Sequence, residues 1–139
     1  MRPWIVITLA AAGLAAGPAA ATARERPTPP ERLAKLLEGR VAGPPQSCIS
    51  LAAISDTQII DKTAIVYRQG STLWVNTPRS GAESLNDDAI LVTKPTGSQL
   101  CSIDSVQLHD RSGHMWRGFV SLGDFVPWRK ADAAAAKPE

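Results

Sequence analysis

Residues 63–77 read TAIVYRQGSTLWVNT, and this stretch decides the fold. Two runs rich in β-branched and aromatic residues flank Gln69, Gly70 and Ser71. A glycine-containing turn between two such runs predicts a β-hairpin. Side chains alternate along an extended strand, so Ile65 and Tyr67 face one way and Ala64, Val66 and Arg68 the other.

The same texture runs outward in both directions. Upstream, SCISL (47–51) reads as a strand and AISDTQIID (53–61) as a turn and a short strand. Downstream, AILVT (89–93) is a strand. SIDSVQLHD (102–110) is another, with Ile103, Val106 and Leu108 available to the core. MWRGFVSLGDFVPW (115–128) forms one bent strand or two short ones, with Gly118 and Gly123 at bulges or bends. The fold class is mainly β, a small barrel or two-layer sandwich of about six or seven short strands. One short N-terminal helix precedes them in ERLAKLLEGR (31–40). Pro30 suits its start, Leu33, Leu36 and Leu37 make one apolar face, and Gly39 stops it. The domain spans 31–128, between a flexible Pro-rich segment (24–30) and a disordered tail (129–139).

The first residues set the compartment. MRPWIVITLAAAGLAAGPAAATARERP carries one positive residue, Arg2, then an apolar run over 5–16, then small residues ending Ala-Thr-Ala. This is the pattern of a secretory signal peptide cut after Ala23. The run is short for a membrane span, although an uncleaved anchor is the alternative. The mature protein is expected in the periplasm or secreted, with no stable membrane span. Lys and Arg number 15 against 13 Asp and Glu, and Arg2 leaves with the leader. That near-neutral balance argues against a nucleic-acid partner, which needs concentrated positive charge.

Export governs the reading of Cys48 and Cys101, the two cysteines of the chain. In an oxidising compartment they are expected to form one disulfide. Closing a loop of about 50 residues would stabilise the domain by roughly 4 kcal/mol. Two free buried thiols, or a thiol with a chemical role, are the alternatives. Zinc is disfavoured because four ligands at suitable spacing are missing. No metal or cofactor is expected.

Each candidate for chemistry has a structural alternative. HDRSGH places His109 and His114 around Asp110, with Asp104 upstream, a set that acid–base catalysis would use. The same residues suit a solvated hairpin turn. PRSGAESLNDD (78–88) is a long polar loop. Arg79, Glu83, Asn86, Asp87 and Asp88 make it a candidate binding loop, with Arg79 able to clamp a carboxylate or phosphate. Asp87 and Asp88 alone are too few oxygens for calcium. Trp74, Trp116 and Trp128 are core anchors or aromatic contacts for a ligand. No nucleophile elbow and no phosphate-cradling glycine loop occurs, so no catalytic residue is assigned.

The segments SCI from Ser47, IIDKTAIVYR, LWVN, PRSGAESLNDDAILV, GSQLCSIDSV and RGFVSLGDFVPW together resemble a family of small exported proteobacterial proteins. The resemblance covers most of 47–128 and implies an exported, two-cysteine β domain. That family has no assigned reaction, so no functional residue carries over. The expected function is a non-enzymatic, disulfide-stabilised module that binds an envelope protein or a small ligand. The alternatives are a small enzyme using Asp104, His109, Asp110 and His114, or an inhibitor or chaperone-like module presenting the Arg79–Asp88 loop.

Overall fold

The computed structural model describes residues 25–132; the expected signal peptide lies outside them. In chain order the elements are α1 (Pro29–Leu36), β1 (Arg40–Ala42), β2 (Cys48–Ser50), β3 (Asp56–Ile60), β4 (Ala64–Gln69) and β5 (Thr72–Asn76). Then follow β6 (Ile90–Thr93), β7 (Gln99–Cys101), β8 (Ser105–His109), β9 (Trp116–Ser121) and β10 (Phe125–Lys130).

The hairpin is β4–β5, with Gln69 opposite Thr72. Gly70 takes φ +56°, the sign that a type II′ turn demands at its first central position. β4 and β5 lie inside an antiparallel sheet ordered β1-β10-β5-β4-β3. Both faces of this sheet are covered. Ile65, Tyr67, Trp74 and Phe125 meet Val106, Leu108 and Val120 of a second sheet, β6-β8-β9. Ala64, Val66, Leu73 and Val75 face the other way, packed by Leu33, Leu36, Leu37 and Trp128. The alternation along β4 therefore separates two cores, one between sheets and one beneath α1. The small sheet β2-β7 adds Ile49 and Leu100 to the first core. The strands do not close into a barrel, and the architecture is sandwich-like with a helix on its outer face.

Ten strands form among the described residues, rather than six or seven. The additional ones are short. β1 and β7, which were not expected, have three residues each, too few for a propensity pattern to register. β1 follows the helix where no strand was expected, yet Arg40, Val41 and Ala42 pair with Lys130, Arg129 and Trp128. Strand β10 thus includes two residues expected in the tail. At the other end the helix begins at Pro29, inside the expected flexible segment. The Glu31 carboxylate accepts from the Thr28 amide and hydroxyl at 2.7 and 2.8 Å. Pro29 and Pro30 lack only amide hydrogens that a helix start leaves unpaired anyway.

Ile103 is a correction: it is 86% exposed rather than in the core. The Asp104 carboxylate accepts the Cys101 amide at 2.7 Å, which tightens a turn before β8 and turns Ile103 outward. The bend positions are as expected. A register shift at Leu108/His109 lies opposite Gly118, whose φ is +139°. A Cβ on Gly123 would collide with the Thr77 carbonyl oxygen. Beside it, the fully buried Asn76 side chain donates to the Gly123 carbonyl at 2.6 Å and accepts its amide at 3.1 Å. One side chain thereby replaces the strand partner that Gly123 lacks where the chain crosses between sheets.

Candidate functional site

Cys48 and Cys101 stand directly opposite each other on β2 and β7. The Cys101 amide donates to Asp104, and Ser102 donates to the Ser47 carbonyl at 2.7 Å. The cysteines thus occupy a non-hydrogen-bonded pair, the position where facing side chains approach most closely in an antiparallel ladder. They form a disulfide across 53 residues of sequence, which removes the free-thiol and reactive-thiol alternatives.

Asp104, His109, Asp110 and His114 do not converge. Asp104 caps the turn before β8, and His109 ends that strand, roughly 16 Å away at strand spacing. The Asp110 carboxylate accepts from the Ser112 hydroxyl and amide and from the Gly113 amide. Arg117 lies 3.3 Å away. These donors hold the Asp110 carboxyl down at about 2, so it stays ionised and locks a turn. His109 Nδ1 lies 3.0 Å from the His114 carbonyl oxygen, a contact that pins the same turn.

The candidate binding loop is bound down along its length. The Arg79 amide donates to the Ser121 carbonyl at 2.9 Å, and its guanidinium is 3.8 Å from Asp124. Glu83 sits in a short helical turn over Ala82–Ser84, and Leu85 plugs the core at 2% exposure. The Asn86 side chain accepts from the Asp88 amide at 2.9 Å. Asp87 and Asp88 turn to different partners, Arg32 at 3.2 Å and Arg111 at 3.1 Å. Glu83, Asn86 and Asp88 border a small recess of about 330 Å³ with Lys62, Asp110, Arg111 and Arg117. Its charges are of both signs and largely compensate one another.

Trp74, Trp116 and Trp128 form no common platform. Trp74 is in the core between sheets and Trp128 packs on the helix side. Trp116 is 61% exposed, and Phe119 is 53% exposed. The register shift in β9 puts both aromatics opposite β8 residues of one face, His109 and Gln107.

One cleft was not legible in the sequence. It has a volume of about 790 Å³ and is bordered by β3 and β6, the last strands of their sheets. Leu51, Ile54, Ile59, Leu91 and Leu100 supply apolar wall. Arg32, Asp87 and Arg111 also border it, and both arginines are paired with carboxylates. Tyr67 lines the cleft, yet it is only 4% exposed and its hydroxyl has no hydrogen-bond partner. Burial pushes the Tyr67 hydroxyl pKa well up, so it remains a proton donor. The signal for this site was slight: one phenol, Tyr67, on the β4 face shared with Ile65 and Gln69.

No protein-family model matches the chain, and no similarity to a curated protein or to a solved structure was found. The expected resemblance to small exported proteobacterial proteins has no counterpart in these comparisons.

Proposed function

We propose that this protein is a non-enzymatic, exported binding module that takes a small apolar ligand in the cleft between β3 and β6. The carrying observation is the cleft itself. Its volume falls within the range of about 300–1,000 Å³ typical of small-molecule sites, and Leu51, Ile54, Ile59, Leu91 and Leu100 give it an apolar side next to the polar Thr57, Gln58 and Thr93. The carboxylates nearby are engaged in turns and ion pairs, which suits recognition better than acid–base chemistry. Export is supported by the disulfide. No helix among the described residues is long and apolar enough to cross a membrane.

Titration with N-phenyl-1-naphthylamine, a neutral fluorophore that brightens in apolar surroundings, tests the cleft. Saturable one-to-one brightening is expected, and Leu91→Trp, which fills the cleft, should abolish it. No brightening with the folded protein removes the reading. N-terminal sequencing of the exported chain should begin at Arg24.

A second reading is favoured by one observation. β3 (DTQII) and β6 (ILVT) have no outer strand partner among the described residues. Neither carries the Pro or Lys that commonly guards an edge. An extended apolar segment of an envelope protein would add to such an edge. New amide protection confined to Thr57, Ile59 and β6 on mixing with an apolar peptide would favour this reading over the small ligand.

A further inference from the structure

We infer that the outer face of β6-β8-β9 binds a neutral glycan, with sugar rings stacked on Trp116 and Phe119 and sugar hydroxyls bonded to Gln107 and His109. This does not depend on the cleft and adds a second kind of ligand.

Val106 and Leu108 of β8 are buried between the sheets, so Gln107 and His109 point outward. Register partners share a face. Two rows therefore lie side by side on the outside: Ile90, His109, Trp116 and Val92, Gln107, Phe119. Residues 116 and 119 are three apart and would ordinarily lie on opposite faces of a strand. The register shift leaves Arg117 with no residue opposite and brings Trp116 round to the side of Phe119, the kind of re-aiming that a bulge performs. The two rings stand opposite residues two apart on β8, so they sit about 7 Å from each other along the strand. Both are exposed, as is Met115 beside them. Large apolar side chains gathered on one exposed face mark a contact surface.

Size and charge choose the occupant. Three strands at their usual spacing, along the length of β8, make a face of about 14 by about 17 Å. That is about 240 Å², well under the ~800 Å² that each partner brings to a stable protein interface. The two rows hold no Lys, Arg, Asp or Glu. The nearby Arg111 and Arg117 are paired with Asp88 and Asp110, so they offer no surplus charge to an anion or a lipid headgroup. A hydrocarbon surface would strip water from Gln107 and His109, whose side chains lie 3.4 Å apart in the middle column, and return no hydrogen bond. A sugar ring matches both textures. Its flat sides carry C–H groups suited to the electron-rich faces of Trp116 and Phe119, and its rim carries hydroxyls for the polar column.

Cellotetraose and N-acetylchitotetraose, two neutral probes, are titrated into the full mature protein and followed by amide shifts and by the Trp116 indole resonance. Saturable shifts confined to β6, β8 and β9 are expected with at least one of them. Trp116→Ala and Phe119→Ala should each weaken that binding about fivefold. Gln107→Leu should weaken it as well, although it makes the face more apolar. The amide spectrum of each variant checks that it folds. No shift with either glycan overturns the inference, and so does glycan binding that Gln107→Leu leaves undiminished. Attachment to phosphatidylcholine vesicles in place of the sugars would mark a lipid-facing patch instead. A monomer–dimer equilibrium abolished by Trp116→Ala would give the face to a second copy of the chain.

Discussion

The two flanks of the sandwich are built on opposite plans. On one, the chain crosses between sheets after β5 and again before β10, and nearly every polar group there is matched. Asn76 pairs with Gly123, the Arg79 amide with the Ser121 carbonyl, and Ser80 bridges to Ser121. On the other, β3 and β6 end their sheets with no outer strand among the described residues, and a cleft lies between them. Tight closure on one flank lets the other stay open without loss of the fold. Stability and recognition are thus assigned to different residues, and substitutions should separate them.

The largest expected effect comes from the covalent tie that holds β2 to β7. Cys48→Ser with Cys101→Ser should lower unfolding free energy by about 4 kcal/mol, measured in urea. A loss well under 1 kcal/mol would mean that the sheets hold without it. Next is Asn76→Ala on the closed flank, which strands the Gly123 amide and carbonyl and should cost about 2–4 kcal/mol. If that substitution is neutral, the contrast between flanks fails.

On the open flank the sign should reverse. Tyr67→Phe removes an unsatisfied hydroxyl and should leave stability unchanged or raise it by up to about 1 kcal/mol. A clear loss would show a protein partner for that oxygen. Smallest is the acid response of Asp110. Its carboxyl ionises at about 2 in the fold against an ordinary value of 3.8. Its contribution is therefore present above pH 4 and fades as pH falls toward 2. Asp110→Asn should flatten that part of the stability–pH profile, with little change at pH 7.

Local patterns were legible and distant assemblies were not. The β4–β5 hairpin, its two faces, the leucines of α1 and the bends at Gly118 and Gly123 follow from neighbouring residues. The disulfide follows from the residue count and the expected compartment. The cleft draws on α1, β3, β4, β6 and β7, and no periodicity joins segments so far apart. β1 escaped because three residues before Gly43 carry no pattern of their own. Ile103 misled because its hydrophobicity was read without the Asp104 turn that reverses the chain. The acidic and histidine clusters are adjacent in sequence, yet each side chain finds a separate structural partner.

The β3–β4–β5 meander occupies one continuous run, Asp56–Asn76, whereas β1 must wait for β10 from the far end of the domain. Pairings between near neighbours form early, and those between remote segments set the pace. Pulsed hydrogen exchange during refolding should protect the Val66 amide before that of Val41. The central ribbon therefore rises while the end of the domain is still unplaced, and the arrival of the last strand times its completion.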